Sequence, residues 1–249
     1  MRNIKLILEY DGADFFGFQK QPHHPTIQQA LEDALFKFFR KKIKITAASG
    51  RTDTAVSASY QVVNFKTNNL RELSQIQKGL NAFLPRSIAV KEIEEVSKNF
   101  HARYSARSKT YEYFIWNHPT RSPLHARRSY HVPYLLDIVK MRKAAQLLTG
   151  KHDFRSFCTS SGTEKKRNAM RTIKRFEIKR EGKTPLIRCI IEADGFLYHM
   201  VRNLIGALTE VGSGKLILQE LKDVLKARDR RRAGTTVPAH ALTLVHVTY

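Results

Sequence analysis

Gly50-Arg51-Thr52-Asp53 places a carboxylate two residues after a guanidinium, in a loop between two strand-like runs. A carboxylate held in a pocket can stabilise or capture positive charge as a glycosidic bond breaks. Taken alone, Asp53 reads as a turn residue or a cap, and Arg51 as a surface charge. The common alternatives are missing. Gly212-Ser213-Gly214-Lys215 looks like a phosphate loop, but the spacing G-x-x-x-x-G-K-[ST] fails on both sides, and a helix C-cap followed by a turn is the better reading. No G-x-G-x-x-G follows a strand, so a dinucleotide or S-adenosylmethionine fold has no support. The H-x-E and C-x-x-C pair of zinc deaminases and the G-x-S-x-G elbow of hydrolases are absent too.

Composition narrows the partner. Lys and Arg number 44 against 22 Asp and Glu, a formal charge of +22. Such a surplus marks a polyanion partner, because each cation near a phosphate displaces condensed counterions. Hydrophobic residues make up 42% of the 249, enough for a sizeable core. No apolar run approaches the ~18 residues of a spanning helix, and the stretch MRNIKLILEYDG is too short and too soon acidic for a signal peptide. Cys158 and Cys189 cannot form a disulfide framework or a Cys-rich zinc site, and the ten histidines show no metal-ligand spacing. A cytoplasmic protein without a metal is expected.

The elements that must position the loop follow from periodicity. Ile4, Leu6, Leu8 and Tyr10 share one face of a strand over Asn3–Tyr10. Thr26 and Gln29 make a capping box for a helix striped by Ile27, Ala30, Leu31, Ala34, Leu35 and Phe38. Strands around Ile43–Ser49 and Tyr60–Thr67, a helix with Leu73, Ile76, Leu80 and Phe83, and a strand over Ile88–Val96 complete a β-α-β-β-α-β order. The second half repeats it. Ser108–Asn117 is a strand with Tyr111, Tyr113 and Ile115 on one face; a helix starts at Asp137 and stops at Gly150; strands lie near Thr172–Arg180 and Leu186–Ala193. A helix from His199 to Val211, an extra helix over Leu218–Ala227 and a strand over Ala241–Thr248 close it. The fold expected is α+β: two RRM/ferredoxin-like βαββαβ halves, residues 1–104 and 105–249, whose antiparallel sheets flank a central basic cleft. Lys41-Lys42, Arg127-Arg128, Lys165-Lys166-Arg167 and Arg228 through Arg232 would line a track for an RNA backbone, although each cluster by itself reads as a solvated face.

Six blocks in order carry a resemblance. They are Tyr10-Asp11-Gly12 through Phe18-Gln19; Gly50-Arg51-Thr52-Asp53 with Val56, Ala58 and Gln61-Val62; Asn81-Ala82-Phe83-Leu84-Pro85; Phe100-His101-Ala102-Arg103 leading to Ser105-Ala106 and Tyr111-Glu112-Tyr113; Gly195 through Asn203; and Pro238-Ala239. With them the chain resembles the TruA family of tRNA pseudouridine synthases nearly end to end. The resemblance implies an isomerase that converts uridine to pseudouridine around positions 38 to 40 of the tRNA anticodon stem-loop, as a homodimer, without cofactor or metal, the basic cleft being its active site. It implies that Asp53 is the catalytic aspartate and that Arg51 helps hold the target nucleotide out of the helix. It also implies that Tyr111 stands beside the base, that Arg202 pairs with the aspartate, and that Leu244 lines the pocket.

The chain departs from the family's pattern at Thr54-Ala55-Val56-Ser57, where Ala-Gly-Val-His is usual. It departs also at Phe18, Lys109 and His240-Ala241. Ala55 in place of glycine bears on any left-handed backbone there, and Ser57 lacks an imidazole. Two other functions compete: a non-catalytic RNA-binding protein of RRM-like halves, and a tRNA methyltransferase that would bind S-adenosylmethionine. Neither an RNP1 aromatic signature nor a cofactor loop supports them.

Overall fold

The computed structural model describes residues 1–159 and 168–249, and the Lys165-Lys166-Arg167 cluster lies outside them. Among the described residues, five α-helices and ten strands form a mixed α and β fold in two compact units.

The first unit comprises Met1–Arg107 with Thr243–Tyr249. Its elements are β1 (Arg2–Tyr10), α1 (Ile27–Phe39), β2 (Ile45–Ala48), β3 (Ser57–Thr67), α2 (Leu73–Phe83), β4 (Ile88–Val96) and β10 (Leu242–Thr248). β1 lies between β4 and β3, antiparallel to both, with Leu6 opposite Ile93 on one side and Val63 on the other. β2 pairs antiparallel with the later part of β3, Ala48 facing Val63. The alternation expected of β1 holds for Ile4, Leu6, Leu8 and Tyr10, yet Asn3 and Ile7 on its other face are buried as well. Asn3 Nδ2 donates to the carbonyls of Ser97 and Phe100, so the chain after β4 covers that end of the second face, while Glu9 at its other end is exposed.

Two expectations change in detail. Thr26 caps α1 by accepting from the Gln29 amide, but the Gln29 side chain donates to Asp33 rather than turning back, so half of the capping box forms. β10, expected to close the second half, pairs in parallel with the start of β3, Leu244 opposite Ala58, and belongs to the first unit. It is tied there by Arg107, whose amide donates to Thr248, and by the Tyr249 hydroxyl on the Ala102 carbonyl.

The second unit, Ser108–Leu242, holds β5 (Ser108–Asn117), β6 (Tyr130–Val132), α3 (Ile138–Leu148), β7 (Gly150–Asp153), β8 (Met170–Arg180), β9 (Leu186–Ala193), α4 (Met200–Ser213) and α5 (Leu218–Ala227). Its sheet runs β5-β9-β8-β7, antiparallel throughout, with β6 added in parallel to β5. β5 alternates as its sequence demands: Tyr111, Tyr113 and Ile115 are buried. The helix at Asp137 is capped as expected, the carboxylate accepting from the Lys140 amide. β6 and β7 escape sequence reading because three or four residues are too few to show a period. α4 runs through Gly212 and Ser213 and stops at Gly214, whose φ of 79° makes the left-handed cap; Gly212 to Lys215 is therefore a helix end. No described helix is long and apolar enough to cross a membrane.

Candidate active site

The loop carrying Asp53 runs from Ser49 to Val56 between β2 and β3, and its backbone is fixed from two sides. Beneath it lies a buried polar network. The Tyr10 hydroxyl meets Thr52 Oγ1 at 2.8 Å, and Gln61 Nε2 donates to the Gly50 carbonyl at 2.9 Å. Ser49 Oγ donates to Gln61 Oε1 at 2.6 Å. Ser49 and Gln61 are wholly buried, so each lost partner would leave an unsatisfied group at about 1–3 kcal/mol. Burial pushes the Tyr10 hydroxyl up to about 12, which keeps it a neutral hydrogen-bonding group at ordinary pH.

Residues 11–18 lie against the loop's other side. The Phe18 amide donates to the Thr52 carbonyl at 3.0 Å, and the Ala55 amide donates to Phe15 at 3.2 Å. Gly17, with φ 84°, comes so near that a Cβ there would stand 2.7 Å from the Thr52 oxygen and 3.1 Å from the Asp53 carbonyl carbon. Gly12 is closer still: its Cβ would meet the Val56 oxygen at 2.2 Å. Both positions need glycine because backbone touches backbone. The Val56 amide donates to the Asp53 carbonyl at 3.1 Å and closes a tight turn, with Ala55 at φ 64°. The left-handed conformation that glycine would take freely is thus kept with alanine, at a cost of about 1–2 kcal/mol. Ser57 has work here too, its Oγ accepting from the Gly12 amide at 3.1 Å. On this frame Asp53 is half-buried and Arg51 exposed. Leu244 is fully buried beside Ala58, at the start of the strand the loop feeds.

In the second unit Tyr111 is buried on β5, its ring edge-on to Phe196 with centroids 5.1 Å apart. Arg202 stands in the first turn of α4, half-buried, and its Nε donates to the Val237 carbonyl at 2.8 Å. The next residue, Asn203, is fully buried and anchors that turn. Its Nδ2 donates to the Phe157 carbonyl, and its Oδ1 accepts from Thr236 at 2.6 Å and from Arg230 at 3.0 Å. The first unit therefore holds Asp53, Arg51 and Leu244, and the second holds Tyr111 and Arg202.

The basic clusters differ in kind. Lys41-Lys42 and Arg127-Arg128 are exposed. Within Arg228 to Arg232, Arg228 is paired with Asp153 at 3.1 Å, Arg231 with Asp229 at 2.7 Å, and Arg230 turns inward to Asn203, Thr236 and the Gly234 carbonyl. That tract is largely a strap for the turn after it. Among the described residues no group of three or more His, Cys, Asp and Glu is placed to hold a metal.

Sequence reasoning named Tyr10, Gly12 and Gln61 as parts of motifs and gave them no task. Asn203 likewise stood in a motif block without a task, and Ser49 was not singled out. The usable signals were a glycine straight after a strand, and polar residues at positions where the strand pattern demands burial.

Comparison with known proteins bears on the family. The model of the tRNA pseudouridine synthase family matches residues 6–105 and 144–249. A tRNA pseudouridine synthase A of Acetivibrio thermocellus is 43% identical over 249 residues, the whole of both chains. A tRNA pseudouridine synthase A 2 of Clostridium perfringens is likewise 43% identical over 249 residues and the whole of both chains. The tRNA pseudouridine synthase A of Thermotoga neapolitana is 42% identical over 250 aligned residues, again the whole of both chains. Similarity of this extent, over every element that frames the Asp53 loop, makes the chain a member of the tRNA pseudouridine synthase family.

Proposed function

We propose that this protein isomerises uridine to pseudouridine in tRNA, at uridines around positions 38 to 40 of the anticodon stem-loop, with Asp53 as the catalytic carboxylate. The observation that carries the reading is the frame around Asp53. A half-buried acid is held on a loop whose neighbours on both sides are fixed by backbone contact and by a buried polar network. Precise placement is what a carboxylate needs if it is to meet one sugar carbon.

The reaction exchanges nothing with a second molecule. The N1–C1′ bond breaks, uracil turns, C5 bonds to C1′, the C5 proton leaves and N1 takes up a proton, so the atomic composition is unchanged. Positive charge builds at C1′ as the first bond lengthens, and an ionised Asp53 stabilises it. The carboxylate can go on to capture C1′, take a proton from the sugar, or add to the uracil ring; the outcome balances in each case. Desolvation by bound RNA would favour the neutral acid, and Arg202 is assigned the opposing task of keeping it ionised. Tyr111 is assigned to the base, Leu244 to the apolar wall, and Arg51 to the displaced strand. Unpairing a stem uridine costs a few kcal/mol, which phosphate contacts with this +22 chain offset.

The same reading takes each unit as an RRM-like half. It is supported in the first by the sheet order β4-β1-β3-β2 with two helices between strands. It also takes the working form to be a cytoplasmic homodimer. The test of the catalytic assignment is Asp53→Asn, with release of the uracil C5 hydrogen from labelled tRNA as the readout. Turnover should fall by at least about 10³-fold while tRNA binding persists. Persisting hydrogen release would remove Asp53 from the role.

A further inference from the structure

The segment between β5 and β6, residues 118–129, is the crossover that parallel pairing of these two strands requires. It contains Arg121, Arg127 and Arg128, and the chain carries no acidic residue between Glu112 and Asp137. Arg121 and Arg127 are exposed, as is Leu124 at the tip.

The loop is nonetheless ordered by its own contacts. Trp116 Nε1 donates to the Thr120 carbonyl at 3.0 Å, and the Thr120 amide donates to His118 Nδ1 at 3.0 Å. His131 Nε2 meets the His118 carbonyl at 2.8 Å, and Ser129 Oγ donates to the His125 carbonyl at 2.8 Å. The His125 ring stacks on Trp116, centroids 4.8 Å apart and 17° from parallel, and His240 reaches the Ser129 carbonyl at 3.1 Å. Order lowers the entropy lost when the loop meets a ligand. A cationic segment that is ordered and carries no acid of its own suits a polyanion of fixed shape, as a double-stranded RNA backbone is.

We propose that this loop is a phosphate-binding contact for the tRNA substrate. The proposal rests on the tRNA reading above. The loop leaves β5 after Asn117 and rejoins it in parallel at Tyr130, opposite Ile115, with the exposed Arg121 and Arg127 in between. A phosphate contact acts through binding, so its loss is read in KM and in the salt dependence of affinity. In the other basic tract, Arg228 is paired with Asp153, Arg231 with Asp229, and Arg230 turns inward to Asn203 and Thr236.

The experiment compares wild type with the double variants Arg121→Glu/Arg127→Glu and Arg121→Ala/Arg127→Ala. It measures pseudouridine formation under varied tRNA concentration, and tRNA affinity by fluorescence anisotropy across a salt series. The expected result is a KM raised about tenfold with kcat unchanged, and a salt dependence of log K shallower by about 2, as two lost phosphate contacts require. The alanine pair should show the same direction with a smaller KM change, which separates lost arginines from added carboxylates. Unchanged KM and salt slope would overturn the proposal. A fall in kcat at unchanged KM would overturn it as well, by putting the loop at the chemistry. Absence of pseudouridine in the wild type would instead break the functional reading, and the anisotropy series would still decide whether the loop holds RNA.

Discussion

Asp53 and Arg202 are held by opposite strategies. Asp53 has a short side chain on an irregular loop, so the molecule fixes the backbone: Gly12 and Gly17 press on it from one side, and Tyr10, Thr52, Gln61 and Ser49 hold it from the other. Arg202 has a long side chain in the first turn of a regular helix, anchored by its neighbour Asn203, and the side chain is guided partway along, where Nε meets the Val237 carbonyl. Reach and rigidity trade places. A short side chain is positioned through the backbone around its Cα, whereas a long one is positioned along its own length as well, here at Nε.

Substitutions can break or sharpen this contrast. The largest effect belongs to Arg202→Lys, which keeps the charge and loses both the guided Nε–H and the planar fork. Turnover should fall by about 10²-fold with little change in thermal stability, measured by hydrogen release beside a melting curve. Equal activity would mean that charge alone suffices and that the carbonyl contact is incidental. Gly17→Ala comes next. Its Cβ collides with the Thr52 carbonyl and its φ is unfavourable, so the expected loss is more than about 1 kcal/mol of stability and about tenfold in turnover. A stable but slow variant would sharpen the idea that backbone placement of the acid is what the glycine protects. The smallest effect is expected of Ala55→Gly, which relieves the left-handed alanine. Stability should rise by about 0.5–1 kcal/mol in denaturant titration, with turnover nearly unchanged. A loss of activity there would show that the strained turn itself sets the geometry.

Much of this was legible from the chain. β4, β5, β9 and α5 fall on the bounds that periodicity gives, because long amphipathic or alternating runs carry their own signal. The end of α4 at Gly214 follows from glycine's ease at positive φ. The Asp53 loop stood out only through its company: one aspartate in a turn is ordinary, and six ordered blocks are not. What escaped was non-local. Gln61 serves a carbonyl eleven residues back, Asn203 joins three segments distant in sequence, and Arg230 leaves a run of arginines to enter that junction. No period encodes such meetings. The membership of β10 was missed for the same reason, since an alternating strand does not say which edge it will join.

That last strand has a consequence for how the protein is made. Leu244 pairs with Ala58, and the whole sequence of the second unit is interposed between them. Synthesis runs from the N-terminus, and domains ordinarily fold as they emerge. Here β3 leaves the ribosome with its first residues lacking their parallel neighbour, and loop-closure entropy has to be met before that neighbour arrives. A nascent chain can thus assemble β1, β3 and β4 early, while the strand that leads out of the Asp53 loop acquires its flank among the final steps of maturation.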